Sequence, residues 1–265
     1  MTTTVPMMTN LEPCLGFVRV PCVNMLSTEV SPSHQWLMID DADREDWKIV
    51  MGDPHAIDRA ANALEALRVR CPRSRIGWYG WPYPLKQADV VYWSRNVAPL
   101  VKKADVAFHC CYSAGDGNAV GRAVLARDCL AEFWPGDKPV VACVSDAFIN
   151  PVDFNGIKRS MCREEDMREQ VEAAQATLAG SLYVWSGLPY RVWLMDIWRR
   201  FPETCNDAKN FKDIHDAVRR GRDELLNLWG FVGDPTDAVQ CASQARKYTQ
   251  NLLAKFARLW KETSK

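Results

Sequence analysis

The chain has 265 residues, 48% hydrophobic and 25% charged, with a formal net charge of zero. That is enough for one large α/β domain with a substantial core, or two small ones. Balanced charge gives no long-range field to draw in nucleic acid or an anionic membrane, and no apolar run approaches the roughly 18 residues needed to span a bilayer.

Residues 1–13 read as a loose leader. Leu15 to Val20 is a candidate first strand stopped by Pro21, and Cys22 to His34 is loop-like, with a turn at Ser31-Pro32-Ser33. Trp36 to Ile39 is a short buried-strand signal that ends in a run of acids: Asp40, Asp41, Asp43, Glu45 and Asp46. Asp53 is a candidate cap for a helix with Pro54 at its first position, and Ala56, Ala60, Ala63, Leu64 and Leu67 form its apolar stripe. Arg75 to Tyr83 is a strand that runs into an aromatic stretch broken by Gly80 and Pro82. Helical material follows to Lys103, then a strand from Asp105 to Tyr112, a helix from about Asn118 to Phe133 and a strand from Val140 to Ser145. A helix from Arg163 to Leu178 and a strand from Ser181 to Ser186 complete this part.

The alternation of helices with uniformly apolar strands is the pattern of a parallel sheet buried on both faces. Polar and aromatic residues gather just after each strand, which favours a (β/α) TIM-type barrel over an open sheet. About six strands are legible. The 15 residues between Val20 and Trp36 are too few for further βα units of roughly 30 residues each, so the barrel is expected to be incomplete or to have degenerate early strands. No Gly-x-Gly-x-x-Gly follows a strand and no Walker-type Gly-Lys-Ser/Thr occurs, so nucleotide cofactors lose their usual anchor. The expected organisation is a leader and first strand over 1–34, a barrel-like catalytic region over 35–190 and a C-terminal helical extension over 191–265.

In that extension, Ile214, Ala217, Val218, Leu225, Leu228 and Trp229 make one apolar stripe. Val239, Ala245, Leu252, Phe256, Leu259 and Trp260 make another, with a turn at Gly230 to Pro235. This predicts a helical hairpin that packs on the barrel or joins two copies as a homo-oligomer. Several of the ten cysteines lie in apolar runs (Cys110, Cys111, Cys143), where thiols behave as small hydrophobes. No Cys-x-x-Cys pair is present and the four histidines are scattered, so neither a metal nor another cofactor is expected. Met1 to Asn10 lacks the basic start and apolar core of a signal peptide, which predicts reduced cysteines and a cytoplasmic location.

Carboxylates at the C-terminal end of a parallel strand face the crevice where ligands bind, so the acids after Ile39 are the leading site candidates. Capping of the next helix or a solvated loop is the alternative for them. Tyr79, Trp81 and Tyr83 sit in a Gly/Pro-flanked turn that suits a ligand groove. Tyr112 and Trp185 fit either a groove or an aromatic core, and Asp146 fits either a site carboxylate or a turn cap. His109, between Phe108 and Cys110, is expected to be a core histidine, and Asp116 to serve turn geometry.

In their order these strand ends resemble the hyaluronidase-like glycoside hydrolases. Asp43-Arg44-Glu45-Asp46-Trp47 has the spacing of that family's Asp-x-Glu-x-Trp motif. Gly77-Trp78-Tyr79-Gly80-Trp81-Pro82-Tyr83 is similar to its Gly-Tyr-Tyr run into an aromatic-Pro turn. Val106 to Tyr112, Pro139 to Ser145 and Val184-Trp185-Ser186-Gly187 match the strands that follow. The likeness covers roughly residues 36 to 190. Two departures stand: Asp43 and Glu45 lie several residues beyond Ile39, and a second register would put Asp41 and Asp43 at the strand end, with no glutamate there. The resemblance implies a TIM-type barrel that cleaves a polysaccharide or oligosaccharide, N-acetylhexosamine-containing ones included. It further implies Glu45 as general acid, Asp43 orienting a substrate N-acetyl group, Tyr112 at the reacting centre, and Asp41, Tyr79, Trp81, Tyr83, Asp146 and Trp185 around the sugar. The alternatives are a barrel that binds carbohydrate or a protein partner without turnover, and an interaction protein built on the C-terminal helices.

Overall fold

The structure, a computed structural model, describes residues 7–9, 18–19, 22–24, 36–40, 54–79, 95, 98–113, 117–146, 162–177, 179–185, 226–227, 230–234 and 237–264. In chain order the elements are β1 (Met7–Thr9), β2 (Val18–Arg19), β3 (Cys22–Asn24), β4 (Trp36–Asp40), α1 (Pro54–Arg70) and β5 (Arg75–Tyr79). Then follow α2 (Ala98–Val101), β6 (Val106–Cys110), α3 (Ala119–Phe133), β7 (Val140–Ser145), α4 (Glu164–Ala176), β8 (Ser181–Trp185) and α5 (Ala238–Thr263).

All eight strands belong to one sheet, in the order β2-β1-β8-β7-β6-β5-β4-β3, and every pairing is parallel. The two edge strands are consecutive in sequence. Arg19 and Cys22 are three residues apart, so their Cα atoms lie within roughly 11 Å of each other. A parallel sheet whose opposite edges are tied so closely has to curl, and the fold is an incomplete TIM-type barrel. It is incomplete because β1, β2 and β3 are only two or three residues long and because the helical crossovers described begin with α1. Met7–Thr9 and Cys22–Asn24, expected as leader and loop, are therefore strands. They are too short to carry a periodicity and exist through pairing with β8 and β4.

Strand alternation sorts the core into an inner and an outer layer. Met38, Val106, Phe108, Tyr112, Val141, Cys143 and Tyr183 pack together inside the curl. Ala142, Val144, Leu182 and Val184, from the opposite parity, pack outward against Ala119, Ala123, Met167, Val171, Ala174, Leu252, Leu253, Phe256 and Leu259 of the helices. β6 and β7 are thus buried on both faces, which explains sequences that are apolar save for His109 and the terminal Ser145. Ala60, Ala63, Leu64 and Leu67 of α1 are buried as the stripe predicted.

Gly77 lies where β5 faces β6, and a Cβ built there would run into the carbonyl oxygen and side chain of Val106 and reach Phe108. Gly77→Ala is therefore expected to cost about 1–3 kcal/mol through overpacking, read as a lower urea midpoint. An unchanged midpoint would mean that the two strands separate freely.

In the C-terminal segment the described residues include one long helix, α5. Asp237 caps α5 by accepting from the amides of Val239 (2.9 Å) and Gln240 (3.1 Å). Leu252, Leu253, Phe256 and Leu259 are buried, but Val239, placed in the same stripe by the sequence, is 79% exposed. It sits in the first turn, before the helix reaches the outer layer packed on α4. Of the other arm, only 226–227 is described, and it is helical. Arg258 bridges Glu164 of α4 (2.9 Å) and Glu262 (3.0 Å), and Arg168 also meets Glu262 (2.8 Å). These pairs are exposed, so they set the docking angle more than they add stability. Cys71, Cys110, Cys111, Cys143, Cys162 and Cys241 form no disulfide with one another. Among the described residues no helix is long and apolar enough to cross a membrane.

Candidate functional site

The C-terminal ends of the parallel strands form one mouth, the end of such folds where ligands bind. Alternation along β6 puts Val106, Phe108, Cys110 and the following Tyr112 on the inner face. Val141, Cys143 and Ser145 share that face on β7, as do Tyr183 and Trp185 on β8. The register confirms the levels: Cys110 is opposite Cys143, Cys143 opposite Tyr183, and Ser145 opposite Trp185. Phe108 and Tyr183 meet edge-to-face, ring centres 6.3 Å apart at 71°, and close the interior below. Tyr112 and the half-buried Trp185 belong to the same cluster above that floor.

The exits of β6 and β7 are held by polar side chains of α4. Glu169 accepts from Ser113 Oγ (3.0 Å) and from the amide of Ala119 (2.7 Å), which also caps α3. Gln170, fully buried, accepts from the Ser145 amide (2.8 Å) and donates to the Ser145 carbonyl (2.9 Å). Arg122 donates to the Tyr112 carbonyl at 3.3 Å.

Asp146 is also fully buried but has the opposite parity, that of Ala142 and Val144. Its Oδ2 accepts from the Tyr248 hydroxyl of α5 at 2.9 Å, and its backbone carbonyl accepts from the Cys162 amide at 2.8 Å. Burial, reinforced by the Asp146 carboxyl, pushes the Tyr248 hydroxyl well above its ordinary pKa, so it stays a neutral donor. Asp146 therefore faces the C-terminal helix rather than the interior of the mouth. The cause is the one-residue step past Ser145, which reverses the face.

His109 lies on the outer face opposite Ala142, and burial lowers its pKa to about 4, so it is a neutral core residue at pH 7. Burial, with Cys110 alongside, raises the pKa of the Cys111 thiol, which keeps it protonated and poorly nucleophilic. Among the described residues no group of three or more His, Cys, Asp or Glu side chains is placed to hold a metal ion.

The sequence-derived candidates thus divide. Tyr112 and Trp185 belong to the same inner-face cluster. Tyr79 ends β5 opposite Phe108 in register, on the parity of Gly77. β4 ends at Asp40, at the same end of the sheet, where the acidic run begins. Asp41, Asp43, Glu45, Trp81, Tyr83 and Asp116 lie outside the described residues. Sequence reasoning passed over Glu169, Gln170 and Tyr248. A signal for Gln170 did exist: it falls on the buried stripe of Met167, Val171 and Ala174, and a polar residue there needs a partner.

No protein-family model matches the chain, and no curated protein matches it. Among solved structures, the chain is similar to bee venom hyaluronidase in complex with a hyaluronic acid tetramer. The identity is 14%, over 72% of this chain and 71% of that one, with a TM-score of 0.45. A monoclinic crystal of the same enzyme gives 13%, 72%, 73% and 0.46. The carboxyl transferase domain of Rhizobium etli pyruvate carboxylase with 3-bromopyruvate is 13% identical over 89% of this chain and 42% of that one, with a TM-score of 0.37. These are distant likenesses of fold and carry nothing about activity.

Proposed function

We propose that the protein is a glycoside hydrolase acting on a polysaccharide or oligosaccharide that contains N-acetylhexosamine. The observation that carries this reading is that Tyr112 and Trp185 belong to one inner-face cluster with Phe108 and Tyr183, at the end of the sheet where β4 gives way to the acidic run. Aromatic faces bind the apolar faces of sugar rings, and an acid beside them is desolvated enough to hold a proton near neutrality. Cleavage needs that proton on the leaving oxygen and stabilisation of an oxocarbenium-like centre. In this scheme Glu45 is the general acid and Asp43 orients the substrate's N-acetyl group as internal nucleophile. Tyr112 and Tyr79 contact the reacting sugar, and Trp185 supports it from below.

The test is a reducing-end assay on hyaluronan and chitin oligosaccharides with the wild type and Glu45→Gln. Loss of a general acid is expected to lower the rate by about 10²- to 10⁴-fold. Equal rates would remove Glu45 from the mechanism, and no turnover by the wild type would remove the hydrolase. A barrel that binds carbohydrate or a protein partner without turnover is the alternative. It is favoured by Asp146, a strand-end carboxyl committed to Tyr248 instead of the mouth. Calorimetric binding of an oligosaccharide that is never cleaved would decide for it.

A further inference from the structure

Cys143 and Ser145 send their backbone groups toward the same neighbouring strand, since direction repeats every second residue. At Cys143 that neighbour is the run leaving β6: the Cys111 amide donates to the Cys143 carbonyl at 2.9 Å. Two residues further on, the partner of Ser145 is instead the side-chain amide of Gln170. It accepts from the Ser145 N–H at 2.8 Å and donates to its C=O at 2.9 Å. A carboxamide has the donor and acceptor of a peptide group, so Gln170 stands in for the strand that has departed. The preceding residue, Glu169, holds Ser113 on the departing side (3.0 Å). Neighbouring residues of α4 thus take hold of the two diverging strands at the point where they separate.

We infer that Gln170 and Glu169 are positioning residues that set the exits of β6 and β7, and with them the separation of Tyr112, Ser145 and Trp185 that a ligand in the mouth must fit. Neither acts by touching the ligand. Both lie on a helix of the outer layer, and Gln170 is fully buried with both amide atoms engaged by Ser145. The carbohydrate ligand rests on the function proposed above; the positioning itself is independent of it.

The two claims separate experimentally. Gln170→Met keeps length and volume but removes both hydrogen bonds. It is expected to weaken binding of a hyaluronan hexasaccharide by about tenfold or more, because small misplacements in a site are costly, and to do so at every pH. Gln170→Glu retains a donor and an acceptor only while its carboxyl is protonated. Its affinity should therefore approach wild type at low pH and fall to the Gln170→Met level as the carboxyl ionises, while the wild type does not follow that curve. A general loss of stability would not produce this pH signature. Without any ligand, the Ser145 amide should exchange at least about tenfold faster in Gln170→Met relative to the Leu182–Val184 amides, since its acceptor is gone. The emission assigned to Trp185, as the difference from a Trp185→Phe protein, should shift. Unchanged exchange and emission would overturn the positioning role, as would wild-type affinity in Gln170→Met. If Gln170→Met does not fold, Gln170→Glu at low and high pH makes the same comparison. A wild type that binds no glycan would end the carbohydrate reading, with exchange and emission still deciding the positioning.

Discussion

Removal of residues 238–265 is expected to abolish the cooperative unfolding transition rather than release a folded barrel. α5 contributes Leu252, Leu253, Phe256 and Leu259 to the outer core, each at most 5% exposed. Burying such side chains is worth about 1.5–3 kcal/mol apiece, so the four together approach the roughly 5–15 kcal/mol by which a whole domain is stable. The deletion also strips the Tyr248 hydroxyl, its donor at 2.9 Å, from the fully buried Asp146, which costs that carboxyl a hydrogen bond. Phe256→Ala isolates part of this effect and is expected to cost about 3–5 kcal/mol, measured by urea unfolding followed by far-UV circular dichroism. A truncated chain that still melts sharply would show α5 to be an appendage.

Acid should weaken the fold through His109 before it titrates most carboxylates. Burial holds its folded-state pKa at about 4, against about 6.5 in the unfolded chain. Between these values the unfolded state binds the extra proton, so stability rises with pH there. The contribution is present in full above pH 6.5 and is lost progressively as pH falls toward 4, reaching about 3 kcal/mol. His109→Leu should flatten this part of the profile, which urea midpoints at pH 7, 5.5 and 4.5 would show. An identical pH dependence in the variant would mean that the imidazole finds room to ionise in place.

What the sequence revealed follows from the range over which each signal acts. Val140 to Ser145 was legible because a strand buried on both faces has to be apolar at every position, a local property. The α1 stripe was legible for the same reason. β1 and β3 were not, since segments of three residues acquire their conformation from partners far along the chain. The alignment of Tyr112 with Trp185 could be anticipated, because each ends an apolar run and parallel strands share one polarity. The role of Asp146 could not: it depends on a face reversal after Ser145 and on a tyrosine 102 positions away. Gln170 was marked only by its place on the buried stripe of α4, and the divergence of two strands shows what its amide and the Glu169 carboxyl hold.

The adjacency of β2 and β3 has a consequence for biosynthesis. β1 pairs with β8, the last strand of the sheet to be made, so the earliest strands leave the ribosome long before one of their partners exists. Closure at that seam must be a late event, governed by loop entropy over most of the polypeptide. Until then the nascent protein shows two open strand borders, the state in which a chaperone or a second unfinished copy finds a template. Once β1 docks on β8, the sheet runs unbroken from β2 to β3, and only those two short strands remain at its edges.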